Sequence, residues 1–297
     1  MLPLGNRVKT KMKILSFLDS YTHIFADICG VLHDHHSKIQ GASEVFESAK
    51  TPVILISNAH FSHKHVALLL HKKYSIKAGR CFEKIITSGD YALYAQKQGI
   101  HPSVRNAQCL VLPYPNKENA CFLEEHFGCH ITMNIDRADF IISCGAILSP
   151  HIEDYTVLHR ARDRGLPLIC FNQDIMINCN QKKQLRSGVY ASYYQHIGGT
   201  IFICGKPDPN FYNFACGDMP AETTLFIGDG ITTDVPGANA KKSDVLLTLS
   251  GCPALFFDDQ QTHQQNLLRL ERIFNINIDY FTWSVHNRNP VQSLKMG

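Results

Sequence analysis

Short apolar runs rich in β-branched and aromatic residues alternate along this chain with stretches of helical periodicity. The runs are Thr22 to Ala26, Val53 to Ile56, Cys109 to Leu112, Phe140 to Cys144, Pro167 to Phe171, Thr200 to Cys204, Thr224 to Ile227 and Val245 to Leu249. Between them lie helical candidates at His60 to Lys72, Asp90 to Gln98, Lys117 to His126, Pro150 to Arg164, Pro209 to Ala215 and Gln260 to Phe274. Strands that alternate with helices imply βαβ units and a parallel sheet. In open sheets of that kind ligands bind outside the carboxyl ends of the strands. Four of the runs end there in reactive groups: Asp27, Ser57 with Asn58, Lys206, and Asp229 followed five residues on by Asp234. Carboxylates at such positions are hard oxygen ligands of the kind that suit Mg2+.

A chain of 297 residues exceeds the usual size of a single core, so two domains are expected. With 44% hydrophobic and 19% charged residues it has the balance of a soluble globular protein. A net charge of +3 is too mild to imply nucleic acid or an anionic membrane as partner. Eleven cysteines are scattered singly with no C-x-x-C spacing, which reads as reduced core thiols and not as a disulfide frame or zinc site. Ile14 to Leu18 is too short for a signal-peptide core, and no apolar run approaches the roughly 20 residues of a membrane span. A cytoplasmic protein is the resulting expectation. The carboxyl-terminal stretch Val285 to Gly297 reads as polar and frayed.

The ordered set Asp27-Ile-Cys-Gly-Val-Leu-His33, Ile56-Ser-Asn-Ala59, Ile169-Cys-Phe-Asn-Gln-Asp174, Gly205-Lys-Pro-Asp-Pro-Asn-Phe-Tyr212 and Gly228-Asp-Gly-Ile-Thr-Thr-Asp234 resembles the haloacid dehalogenase superfamily. Within it the likeness is to the class IIA branch, over roughly residues 20 to 285. The resemblance implies an α/β fold: a Rossmann-like core with a parallel sheet, interrupted by an inserted α/β cap. The core would comprise residues 1–91 and 194–297 and the cap 92–193. It also implies a Mg2+-dependent hydrolase of small phosphomonoesters, of sugar phosphate or nucleotide type, with a cap-to-cap homodimer as a reasonable expectation.

In that scheme Asp27 is the nucleophile and forms an aspartyl-phosphate, splitting one hard displacement into two easier ones. Asp27, the backbone carbonyl of Cys29 and Asp229 would hold Mg2+, which relieves repulsion between an anionic nucleophile and an anionic ester. Ser57, Asn58 and Lys206 would bind the transferring phosphoryl oxygens, with Lys206 also neutralising Asp27. Asp234 would stand behind the metal ligands and orient Lys206 or a metal-bound water. Asn172 and Asp174, in the expected cap, either contact substrate or serve as ordinary turn chemistry at a strand end.

One position departs from the family pattern. Two residues after the nucleophile most members carry an aspartate that protonates the leaving group, and here Cys29 stands instead. A free thiol is a poor acid near neutral pH. The loss of general acid help, typically worth about 10² to 10⁴ in rate, opens a second reading: a phospholigand-binding or regulatory protein with weak or no turnover. His33, Asp34, His35 and His36 follow at once and could supply the missing proton donor, with His33 the best placed, or a second metal site; they also fit a solvated loop. The basic residues Lys182, Lys183 and Arg186 either guide an anionic substrate or form a solvated face. Other enzyme classes fit poorly. The glycine pattern around Asp229 lacks the third glycine of a dinucleotide fingerprint, Pro207 stands where a P-loop needs Ser or Thr, and no Gly-x-Ser-x-Gly elbow occurs.

Overall fold

The computed structural model describes residues 11–147, 151–179, 182–286 and 288–294. Its strands, in chain order, are β1 (Lys11–Met12), β2 (His23–Asp27), β3 (Val53–Ser57), β4 (Lys84–Thr87), β5 (Gln108–Leu112), β6 (His130–Ile131), β7 (Phe140–Ser143) and β8 (Ala146–Ile147). There follow β9 (Leu168–Cys170), β10 (Met176–Cys179), β11 (Lys182–Arg186), β12 (Ile201–Ile203), β13 (Thr224–Gly228), β14 (Asp244–Thr248), β15 (Tyr280–Thr282) and β16 (Val291–Ser293). The chain divides into two compact units. One comprises Met1–Leu55, Tyr74–Lys84 and Asp218–Gly297, and the other Ile56–Lys73 and Ile85–Gly217.

The first unit is organised on a sheet of order β1-β16-β15-β14-β13-β2-β3-β4, and the division between units falls inside its last two strands, after Leu55 and after Lys84. Its centre is parallel: β13 pairs with β2 on one side and β14 on the other, and β14 with β15. Ile24, Phe25 and Ala26 are inaccessible and all five residues of β13 are buried, as expected of strands covered on both faces. Phe25 and Phe226 stack across the β2–β13 pair at 5.2 Å. The helix His263–Phe274 is opened by a capping box between Thr262 and Gln265, which trims the expected start at Gln260 by three residues.

The carboxyl-terminal stretch corrects the sequence reading. Val291–Ser293 forms a strand antiparallel to both β1 and β15, and Val291 and Leu294 are buried. Two isolated apolar residues in a polar tail give no periodic signal, yet they suffice when a sheet edge is present to receive them. The last three residues of the tail lie outside the described residues.

The second unit holds a parallel five-stranded sheet of order β12-β9-β7-β5-β6 and a small antiparallel sheet of order β10-β11-β8. Its core gathers Leu110, Ile141, Leu158, Leu168, Tyr190 and Tyr194 between the sheet and the helices Ile152–Asp163 and Gly188–His196. Tyr194 is buried and donates its hydroxyl to the Leu166 carbonyl at 2.6 Å, so its polar end is satisfied as burial demands. The helix Lys117–Phe127 is capped by Asn116, whose Oδ1 accepts from Asn119 N–H, and stops at Gly128 in the left-handed region. Pro150, the expected start of the next helix, lies outside the described residues.

One strand sits elsewhere than its pattern suggests. The run before Lys206 was expected in one sheet with the strands of Asp27 and Asp229, but Ile201 stands opposite Leu168, so β12 belongs to the five-stranded sheet. Apolar periodicity specifies an element's type and not which sheet receives it; here the short helix Gly188–His196 returns the chain directly alongside β9. Among the described residues no helix is long and apolar enough to cross a membrane.

Candidate active site

In the first unit the register of β2 and β13 decides where their acids fall. Ile227 stands opposite Ala26, so Asp27 and Asp229 leave neighbouring parallel strands at the same end. Asp234 opens the helix Asp234–Ala240 that follows. All three carboxylates are buried, and one oxygen of each lies within 4.8 Å of the others. Backbone amides hold them in place: Ile28 N–H donates to Asp27 Oδ1 at 2.7 Å, Cys252 N–H to Asp229 Oδ2 at 2.7 Å, and Gly230 N–H to Asp234 Oδ2 at 2.9 Å. Gly30 makes the gathering possible. It has φ +80°, and a Cβ there would lie 2.2 Å from the Asp229 carboxyl group. Thr248, at the end of β14, donates its hydroxyl to the carbonyls of Gly30 and Gly228 and ties the two acid-bearing loops together.

The loop after Asp27 turns back on itself. His33 O accepts from Gly30 N–H at 2.7 Å, and a ligand atom each of Cys29, His33 and His35 falls within 4.8 Å of the others. The His33 ring is 7% exposed, stacks on Tyr74 at 4.3 Å, and accepts at Nδ1 from the backbone N–H of His35 at 3.0 Å. Tyr74 in turn donates its hydroxyl to the His35 carbonyl. The solvated-loop reading therefore fails for His33. The bond at Nδ1 also fixes its neutral tautomer with the proton on Nε2. Such a ring is a donor, and binding a cation would require that bond to break.

The second unit assembles the remaining groups predicted for phosphate. Asn58 clasps the backbone of Lys206 at both ends: its Oδ1 accepts from Lys206 N–H at 2.7 Å and its Nδ2 donates to Lys206 O at 3.2 Å. Ser57 is the last residue of β3, and its Oγ accepts from Ala59 N–H. Lys206 is 1% exposed, and an ammonium so deep is costly unless negative charge is at hand. Gly205 leaves the necessary room, because a Cβ there would meet Ser88 Oγ at 2.1 Å and Asn58 Oδ1 at 2.4 Å. Asn172, by contrast, turns its Oδ1 to Asp174 N–H at 2.8 Å, which is the turn chemistry offered as one of its two readings.

Sequence reasoning missed Thr248 and Ser88. Thr248 obeys the same strand-end rule that marked Asp27, whereas Ser88 follows a strand that has only four residues and was not recognised. It also left Arg186 undistinguished from Lys182 and Lys183, although the two lysines are exposed and Arg186 is half-buried.

Carboxylates gathered where parallel strands end mark an α/β enzyme scaffold whose acids could hold a metal ion. A family model described as a haloacid dehalogenase-like hydrolase matches residues 21–240, and the chain belongs to that family. Among solved structures, a haloacid dehalogenase-like hydrolase from Brucella suis aligns with a TM-score of 0.69 at 25% identity, over 83% of this chain and 92% of that one. A p-nitrophenyl phosphatase from Archaeoglobus fulgidus aligns with a TM-score of 0.63 at 19% identity, over 91% and 98%. A glycerol phosphate phosphatase from Mycobacterium tuberculosis, solved with magnesium, aligns with a TM-score of 0.63 at 18% identity, over 94% and 78%. No curated relative matches the chain.

Proposed function

We propose that the protein is a Mg2+-dependent, class IIA phosphatase of small phosphomonoesters, with Asp27 as nucleophile and residues 92–193 as the cap that selects the substrate. The observation that carries this reading is the buried cluster of Asp27, Asp229 and Asp234. Three carboxylates within 4.8 Å repel one another strongly in a desolvated site, and an all-oxygen donor set is what a hard divalent cation takes. Asp27, Asp229 and the carbonyl of Cys29 would hold Mg2+, with Asp234 behind them. When bound, that ion supplies positive charge that lowers the cost of bringing an anionic ester to an anionic nucleophile.

The chain's own residues do the rest. An Asp27 oxygen attacks phosphorus and the alkoxide leaves; water then cleaves the aspartyl-phosphate, releasing inorganic phosphate and restoring the carboxylate. Ser57, Asn58 and Lys206 bind phosphoryl oxygens, and the two bonds from Asn58 to the Lys206 backbone keep that lysine from swinging away. The Nε2–H that the bond to His35 enforces on His33 hydrogen-bonds the departing oxygen, which takes its proton from water because a neutral imidazole is too weak an acid to give one up.

The second reading, a phospholigand-binding protein with little turnover, is favoured by Cys29 alone. A panel of phosphomonoesters assayed with and without Mg2+ separates the two, using the native chain and Asp27→Asn. Metal-dependent hydrolysis lost in Asp27→Asn is the expected result. Tight binding of a phosphorylated compound with no hydrolysis by the native chain would favour the binding protein instead.

A further inference from the structure

The second unit contains a half-buried cation that enters no ion pair among the described residues. Arg186 ends β11, stands opposite Ala146 of β8 and donates its N–H to the Ile175 carbonyl at 2.9 Å. The next residue, Ser187, is fastened to the ends of two parallel strands. Its N–H donates to Gly145 O, its carbonyl accepts from Ser143 Oγ at 2.8 Å, and its Oγ donates to Asn172 O. Arg186 is thus held where β7 and β9 end, the side on which open α/β sheets take ligands. Its Nε is shielded from solvent without a hydrogen-bond partner, and no ion pair among the described residues includes it.

His60 completes the feature. It lies two residues beyond Asn58 in the chain, is 6% exposed, and packs edge-on against Phe122 at 6.0 Å and Phe171 at 6.4 Å. Its Nε2 is buried with no partner. The Arg186 charge weighs on both His60 and the buried thiol of Cys144, the residue just past β7. One guanidinium nitrogen, Arg186 Nε, and one imidazole nitrogen, His60 Nε2, are therefore buried without a partner in the unit that also holds Ser57, Asn58 and Lys206; Phe171, which packs against the His60 ring, precedes Asn172, whose carbonyl accepts from Ser187 beside Arg186. Buried polar atoms are normally paired, and leaving them open costs stability that a ligand can recover.

We propose that Arg186 and His60 form a second recognition site, which takes a carboxylate or second phosphate carried on the leaving group of the phosphomonoester. The guanidinium fork matches either anion in a way an ammonium does not. His60 Nε2 accepts a hydrogen bond from a hydroxyl or N–H beside that anion. This assignment rests on the phosphatase reading and narrows it to substrates bearing two anionic groups.

The test uses three esters of matched size: ethyl phosphate, glycolate 2-phosphate and ethane-1,2-diol bisphosphate. Native chain, Arg186→Met and Arg186→Lys are compared in kcat and KM, with far-UV circular dichroism to verify folding. The native kcat/KM for one of the two esters bearing a second anionic group is expected to exceed that for ethyl phosphate by about 10- to 100-fold, the range of a charge-assisted bond. Which of these two esters is preferred identifies carboxylate or phosphate. That ratio should collapse in Arg186→Met, mainly through KM, and fall partway in Arg186→Lys. A native ratio near one, or a ratio that survives in a folded Arg186→Met, overturns the assignment. Should Arg186→Met not fold, an unchanged ratio in Arg186→Lys overturns it and a reduced one supports it. If no ester is hydrolysed even by Cys29→Asp, it is the phosphatase reading that fails. Calorimetric binding of glycolate 2-phosphate and of the bisphosphate then decides the subsite: a tenfold or greater weakening in Arg186→Met supports it, and equal or absent binding of both overturns it.

Discussion

Replacing Asp229 by Asn should make the metal-free protein more stable, the opposite of what most buried substitutions do. Each ionised pair within 4.8 Å costs about 3.5 kcal/mol at an effective dielectric near 20. Asp229 belongs to two such pairs, so its charge adds at most about 7 kcal/mol of repulsion, from which neighbouring groups and a shared proton subtract. Part of that is offset by the bond from Cys252 N–H, which Asn retains in neutral form at a loss of about 1 kcal/mol. After relaxation and screening, a net gain of about 2 to 4 kcal/mol is expected, a rise in Tm of roughly 3 to 8 °C in EDTA for a chain of this size. Mg2+ should close the gap and, at high enough concentration, reverse it: a ligand adds about 2.7 kcal/mol to the native protein at 100 times its Kd and about 4.1 at 1,000 times, and almost nothing to the variant. Differential scanning fluorimetry in EDTA and over a Mg2+ series measures both effects. A variant that melts lower than native in EDTA, or that keeps the native response to Mg2+, would refute the argument that these carboxylates are assembled for a cation.

Three further outcomes follow from the same geometry. Cys29→Asp should raise turnover by about 10²- to 10⁴-fold, the usual worth of a general acid, and Cys29→Ser should not; equal rates for both would remove the acid from consideration. If the His33 Nε2–H steadies the departing oxygen in the native chain, His33→Asn should slow the native enzyme by about tenfold or more but Cys29→Asp only severalfold, a non-additivity read from the double variant. Burial pushes the His60 imidazole down from 6.5 to about 4, so the unfolded chain binds more protons between those values. The stability held above pH 6.5 should then fall by about 3 kcal/mol as pH drops to 4, and urea titrations of His60→Phe should lack that part of the slope.

The acids at the ends of β2 and β13 were legible because fully buried parallel strands write themselves as apolar runs, and a charge at the end of such a run has nowhere to go but the strand end. The order of Ser57, Lys206 and the acidic pair made the family readable for the same reason. The clasp between Asn58 and Lys206 was not, since it joins residues 148 positions apart whose local patterns are unrelated. The fold of the loop from Cys29 to His35 depends on Gly30 at positive φ and on Tyr74, which sequence proximity does not reveal. Met176 to Arg186 is too polar to read as a hairpin, so Arg186 looked like its lysine neighbours until Ser187 was seen pinned to β7 and β9.

The first and last described strands are neighbours: Lys11 stands opposite Gln292, and β16 lies between β1 and β15. A ribosome making this chain therefore releases β1 long before its partner exists. The five-stranded sheet, whose strands run from residue 108 to 203, has all its material some ninety residues earlier than the sheet bearing Asp27. Chains fold largely as units during synthesis, so the half in which Asn58 clasps Lys206 can be finished while the acid-bearing half waits for its final strand. A stop codon shortly before Val291 would leave β1 without its partner and β15 as an open edge on a sheet already carrying Asp27 and Asp229, and an edge of that kind invites association between copies.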